Sequence, residues 1–318
     1  MNKIILLTTT ALIAFGASLP AFADNATISQ SNETNGYANQ HQAGTVDGVF
    51  LDDNATIVQA GGSGDVATQE QGRLNYVFPT FFDAEVGGVE TITQTNNANA
   101  VAHQQMNANF DTQSITQTGT VGGSSAAQTI NTPLGGSNTQ TITQSLDNNS
   151  AVSQAVGPAP GNMATEASNS QTATQNGQTN SSIHQTVDGT SSNNTQIATQ
   201  NATGANNTQL ASIINGNNNY IEQFQDSGDV SSTQEVSNAA SSNDRALQYQ
   251  STGVVGGTQL ITQTGGMTNQ AGQGQGNSGN FASITQSSGS GNIAIQNQGL
   301  EPGNAGFMFN NGGVVVHN

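Results

Sequence analysis

Four histidines, His41, His103, His184 and His317, are the only imidazoles in the chain, and they stand too far apart for a metal-ligand spacing. The first three fall beside repeated glutamines and read as substitutions on a strand face. Cysteine is absent from all 318 residues, which excludes disulfide staples and thiolate metal sites. No nucleophile–base pair and no pair of carboxylates recurs in a defined setting, so the chain is not expected to be an enzyme and no cofactor is implied. Gly61-Gly62-Ser63-Gly64-Asp65 matches part of a calcium β-roll nonapeptide, but it occurs once where a β-roll needs tandem copies. Thr-x-Thr at Thr91/Thr93, Thr141/Thr143 and Thr172/Thr174 has the pattern of a flat ice-binding face, but it reads first as threonine forming strands on a solvated face. What remains is the primary amide. Glutamine recurs at fixed spacing, and its side chain donates and accepts at once. Burying a lone amide costs about 1–3 kcal/mol. A stacked copy of itself removes that cost, so the chemistry to expect is self-association.

The spacing is regular. Gln30, Gln59, Gln94, Gln117, Gln144, Gln175, Gln200, Asn238, Gln263 and Gln286 each end a copy of one short motif. Two places before these anchors stand Ile28, Ile57, Ile92, Ile115, Ile142, Ala173, Ala198, Val236, Ile261 and Ile284, and between the two stands usually Thr. Such period-two alternation of β-branched residues predicts a strand with the anchor and the aliphatic residue on one face. A second glutamine follows at Gln40, Gln69, Gln104, Gln154, Gln185, Gln248, Gln273 and Gln296, with Ala or another aliphatic residue two places before it. Midway lie Asn35, Gly64, Asn99, Asn149, Asn180, Asn243, Thr268 and Gly291, mostly residues that accept left-handed backbone angles. The unit is strand, turn, strand. Around 201–225 the register is ambiguous: Ile221, Gln223 and Gln225 suit a second strand, but its partner, anchored at Ile213, crowds the copy at Gln200.

Composition agrees with stacking. Charged residues make up 7%, against roughly a quarter in an ordinary domain, and hydrophobic residues 33%. One unit cannot bury its own Ile and Ala or pair its own backbone, whereas a stack of units does both. The expected fold class is all-β: a cross-β-like β-solenoid of about ten stacked strand-turn-strand repeats. Gln stacked on Gln then forms the self-assembly ladder, over the core of Ile28, Ile57, Ile92, Ile115, Ile142, Ile261 and Ile284.

These strands, turns and paired glutamines resemble the curlin repeat of bacterial curli fibre subunits, Ser-x5-Gln-x4-Asn-x-Ala-x3-Gln. Gln30-x4-Asn35 and Ala38-x3-Gln42 match, while the Asn-to-Ala interval is one residue longer, as it is from Asn99 to Ala102 and from Asn243 to Ala246. The likeness covers roughly residues 25–299. The leading Ser is mostly missing, no Gly-rich spacer separates Asp24 from the first repeat, and the repeats are about twice the usual number. The resemblance implies a secreted subunit of extracellular, surface-associated amyloid fibres that support biofilm matrix and adhesion. It leaves open the roles of major subunit, nucleator and accessory protein. The partners it implies are further copies of the chain, a nucleator subunit and outer-membrane export machinery. A monomeric secreted β-solenoid, an adhesin or an ice-binding protein, is the alternative.

The remaining segments fit export. Residues 1–23 read as a signal peptide, with Lys3, an apolar stretch from Ile4 to Leu19 and Ala21-Phe22-Ala23 as the cleavage site. Repeats occupy 24–72 and 91–299, an aromatic-containing insertion 73–90, and a tail 300–318. Pro158 and Pro160 mark a link between rungs. No segment after the leader is long enough for a transmembrane helix. Three Lys and Arg at net charge −17 exclude a nucleic-acid partner. The acidic residues Asp47, Asp52, Asp53, Asp226 and Asp229 fall in links and turns, where charge discourages premature stacking. The tail is read as a cap on the stack.

Overall fold

The structure, a computed structural model, describes residues 25–42, 54–71, 87–157, 167–201 and 203–299, together with the backbone of a hairpin at 306–310 and 313–317. The expected signal peptide, the aromatic cluster Tyr76, Phe78, Phe81 and Phe82, the acidic Asp47, Asp52 and Asp53, and the Pro158/Pro160 link lie outside them. The described residues hold no helix.

The chain winds as a two-sided solenoid, visiting two parallel sheets alternately. The first sheet begins with β1 (Asn25–Ser31), β3 (Asn54–Ala60), β5 (Val89–Thr95), β7 (Thr112–Thr118), β9 (Thr139–Ser145) and β11 (Ser170–Asn176). It continues with β13 (Thr195–Gln200), β15 (Tyr220–Gln225), β17 (Arg245–Gln250), β19 (Gln270–Gln275) and β21 (Ile293–Gln298). The second sheet starts with β2 (Tyr37–Gln42), β4 (Val66–Gln71), β6 (Val101–Asn109), β8 (Ser125–Gly136) and β10 (Ala151–Val156). It ends with β12 (Ser182–Asp188), β14 (Thr208–Ile214), β16 (Thr233–Ser242), β18 (Thr258–Met267) and β20 (Phe281–Ser287). The sheets therefore have 11 and 10 strands, in accord with the expected solenoid of about ten repeats.

Alternation decides the faces. In β5, Glu90, Ile92 and Gln94 are buried while Thr91 and Thr93 face outward, and the same pattern runs through most strands. Every strand thus offers three inward positions. Neighbours pair in register, as in Ile57 on Ile92 on Ile115 on Ile142. The turns between strands carry two left-handed residues three apart, such as Asn96 and Asn99 (φ 53° and 57°) or Asn215 and Asn218 (φ 52° and 56°). Asn tolerates that conformation because its short polar side chain bonds locally, and Gly64 (φ 69°) takes it without a Cβ to strain.

The ambiguity at 201–225 resolves as a change of frame. Through β13 the Ile-x-Gln type of strand always lies in the first sheet and the Ala-x-Gln type in the second. β14 follows β13 directly, but it too carries the first pattern (Gln209, Ala211, Ile213), and it lies in the second sheet. From there the types exchange sheets, so Val236, Ile261 and Ile284 stack in the second sheet and Ala246, Ala271 and Ala294 in the first. Crowding disappears because β13 has no second strand of its own.

The apolar core shifts with the frame. One column runs from Ile57 and Ala67 to Ile183 and Ala198. A second starts at Met106 beside it, continues through Ile130, Val156 and Val187, and after the change carries Ile213, Ile221, Val236, Ile261 and Ile284. The two overlap along the middle of the stack, so no rung lacks an aliphatic filling.

The hairpin β22 (Gly306–Asn310) and β23 (Gly313–His317) forms an antiparallel sheet of its own. It lies against β19 and β21 and pairs with neither β20 nor β21. The expected cap is a side cover instead. Leu247 and Tyr249, outward residues of β17, are buried with Phe224 and Ile295 packed against them. The edges of β20 and β21 pair with no described strand.

Candidate assembly interface and its amide ladders

In the first sheet the third inward position is glutamine in all 11 strands. The series is Gln30, Gln59, Gln94, Gln117, Gln144, Gln175, Gln200, Gln225, Gln250, Gln275 and Gln298, and the Nε2 of each donates to the Oε1 of the next. The bond is 2.8 Å from Gln94 to Gln117 and 3.3 Å from Gln275 to Gln298. The frame change leaves this ladder intact, because both strand types place Gln at that position. In the second sheet Gln40, Gln69, Gln104, Gln128, Gln154 and Gln185 form a ladder that stops where Ala211 takes the next place. Beyond the change Gln223, Gln248, Gln273 and Gln296 run along the first sheet, while Gln263 donates to Gln286 in the second. The expected ladder glutamines therefore fall into four ladders.

Two further ladders were not anticipated: Gln113, Gln140, Gln171 and Gln196, and Gln209, Gln234 and Gln259. Each stands four residues before a motif's anchor position, a spacing visible in the sequence. Gln128 escaped notice because it follows Gln117 by eleven residues, its turn carrying both Gly122 and Gly123 at positive φ. The second N–H of most ladder amides reaches across the core to a backbone carbonyl, as from Gln69 to Thr56 at 3.0 Å and from Gln154 to Thr141 at 3.0 Å. The ladders thus tie the two sheets together as well as the rungs.

All ladders point one way. Where one begins, its first oxygen has no donor below, and Gln113, Gln209, Gln223 and Gln263 each bury such an unpartnered Oε1. At the N-terminal end Gln30 and Gln40 donate to the second turn and accept from no described residue. At the other end the described acceptors of Gln286 and Gln298 are backbone oxygens, those of Gln270 and Phe281. One end thus presents acceptors and the other donors. Of the expected core isoleucines, Ile57, Ile92, Ile115, Ile142 and Ile261 are buried, Ile284 is nearly so, and Ile28 in the end strand is 46% exposed.

A column of Asp and Asn also runs along one corner, six residues before the first-sheet ladder glutamines from Gln117 to Gln275. Asp111, Asn138, Asn169, Asn194, Asn219, Asp244 and Asn269 each accept the backbone N–H of the next rung's residue through Oδ1. Elsewhere Asp65, Asp147 and Asp229 accept from Ala100, Gln178 and Val254 in the same way. These carboxyls are buried, and the second oxygen of Asp65, Asp147 and Asp229 has no partner. Desolvation raises Asp65 to about 6 and Asp111, Asp147 and Asp229 to about 7, against the hydrogen bonds that lower them. Asp229, expected as a charge in a link, is thus a buried corner residue.

The outward faces carry isolated polar contacts. His103 Nδ1 lies 2.7 Å from the Thr68 hydroxyl, and His184 contacts Ser153 and Thr186. No group of three or more His, Cys, Asp or Glu among the described residues is placed to hold a metal. Arg245 sits over the Tyr220 ring at 5.1 Å, and Phe224 stacks on Tyr249 at 5.4 Å. Comparison with protein-family models and with curated proteins finds no match for this chain.

Proposed function

We propose that this chain is a secreted structural subunit that self-assembles into extracellular curli-like fibres serving biofilm matrix and surface adhesion. One observation carries the reading: buried, unidirectional amide ladders reach both ends of a parallel solenoid whose end strands each have an edge that pairs with no described strand. An open edge is a template for another strand, and a ladder ending in unpaired amides is completed by a further copy of itself. The curlin-like strand motif supports the same assignment, with a nucleator subunit and export machinery as the partners it brings. The test is growth of the mature chain at increasing concentration with and without seeds. Seedable fibres with spacings of ~4.8 and ~10 Å are expected; a protein that stays monomeric for days at high concentration overturns the reading.

A second reading, a monomeric ice-binding solenoid, draws on the outward column of Thr91/Thr93, Ser114/Thr116, Thr141/Thr143 and Thr172/Thr174, which the register stacks on successive rungs. Thermal hysteresis by the monomer is its test.

A further inference from the structure

The two ends of the solenoid are copies of one another, but on opposite sheets. At the N-terminal end β1 lies in the first sheet with Ala26, Ile28 and Gln30 inward, and β2 lies in the second with Ala38, Gln40 and Gln42 at the matching register positions. At the C-terminal end β20, in the second sheet, places Ala282, Ile284 and Gln286 at these positions, and β21, in the first, places Ala294, Gln296 and Gln298. The intervening turns are equal in length, with left-handed residues at Asn32 and Asn35 in one and at Ser288 and Gly291 in the other. This exchange of sheets follows from the frame change at β13–β14, which also leaves the sheets unequal, with 11 and 10 strands.

Resting on the fibre reading, we propose that successive copies stack head to tail with each turned half a turn about the solenoid axis, β1 of the incoming copy pairing with β20 and its β2 with β21. The half turn brings the incoming first sheet onto the second sheet of the copy below. Ile28 then stacks on Ile284, Ala26 on Ala282 and Ala38 on Ala294. The donors of Gln286 and Gln296 meet the open oxygens of Gln30 and Gln40, in the polarity that every internal ladder follows. A copy added by translation alone fails twice. Its sheets of 11 and 10 strands leave the second sheet one strand short at each junction, with unpaired backbone on both sides. It also sets Ile28 against Gln296, burying an amide against an aliphatic side chain. The side position of the β22–β23 hairpin keeps it off the pairing edges.

Two cysteine pairs introduced into this cysteine-free chain separate the arrangements. Ser29 and Thr285 are exposed on the outer faces of β1 and β20, and Asn297 is exposed on β21. In the half-turn stack Ser29 of one copy sits beside Thr285 of the next, one strand spacing of ~4.8 Å away and within the Cα range of a disulfide. Fibres of S29C/T285C and of S29C/N297C are grown, oxidised mildly and dissolved in denaturant without reductant. The proposal expects a covalent ladder of oligomers from S29C/T285C that reductant collapses, and monomer from S29C/N297C. Oligomers from S29C/N297C, or from neither pair in well-formed fibres, overturn the half turn while leaving the fibre reading in place. Failure of the unsubstituted chain to form fibres overturns both.

Discussion

A buried glutamine is ordinarily a liability, and here it is tolerated only because another lies above and below it. Gln117 accepts from Gln94, donates to Gln144, and sends its other N–H to Val101. Gln113, two turns of the pleat away on the same strand, begins its ladder and accepts from nothing, while donating to Gln140 and Gln105. The two positions are equally buried, so they separate ladder membership from burial. Gln117→Ala strands a donor on one side and an acceptor on the other, and is expected to cost about 2–4 kcal/mol. Gln113→Ala strands the acceptor of Gln140 alone and is expected to cost about half as much. Denaturant midpoints of the two variants decide the matter, and equal losses would show that ladder continuity adds nothing to burial.

The corners that join strands hold the pH response. Below about pH 4 the buried Asp65, Asp111, Asp147 and Asp229 are protonated in folded and unfolded chain alike. Between there and about 6 for Asp65, or about 7 for the other three, only the folded solenoid keeps the proton. The folded state then binds more protons than the unfolded one, so stability falls as pH rises across that window. Thermal unfolding at pH 5 and pH 8 is expected to show the higher midpoint at pH 5. Asn already fills the Asp111 column at Asn138, Asn169 and Asn194 and makes the same bond to the next rung. Asp111→Asn removes a carboxyl whose ionisation burial disfavours, and should therefore stabilise the chain at pH 8 by about 1–3 kcal/mol, at about 1.4 kcal/mol per pKa unit, and leave pH 5 nearly unchanged. A variant as pH-sensitive as the parent would move the response away from this corner.

For the whole molecule, the proposed assembly is governed by the ends and the charge. An inner rung has covalently attached neighbours, whereas an end rung must draw its partner from solution. Ile28→Lys or Ile284→Lys should slow seeded elongation far more than Ile142→Lys, even though Ile142 is fully buried and Ile28 is half exposed. Equal slowing by all three would remove any privilege of the ends. Net charge of −17 acts between copies at longer range. With a Debye length of ~10 Å at 0.1 M, added salt should shorten the lag of unseeded growth. Salt does not reach the buried corner carboxyls, so acid should shorten the lag beyond what salt achieves. A lag that responds to neither salt nor acid would exclude charge from control of the encounter.

Strands, faces and turns were legible in the residues because each is a local matter. Alternation of Ile and Gln with Thr sets which side chains share a face, and all eight expected turn residues, from Asn35 to Gly291, have positive φ. The corner column was equally available, six residues before the first-sheet glutamines from Gln117 to Gln275, but a lone Asn before a strand also reads as an ordinary turn residue. The sheet to which each strand belongs was not legible. Both strand types put Gln at their third inward position, so the motif around Gln200, Ile213 and Gln225 fits either frame when read alone. Stacking settles it. Gln225 must meet the open N–H of Gln200, and Ile213 must cover Val187 rather than leave it against an amide. Backbone sterics act over two or three residues and are written in sequence order. The choice of sheet depends on neighbours about one coil away along the chain, and emerges only when the columns are assembled.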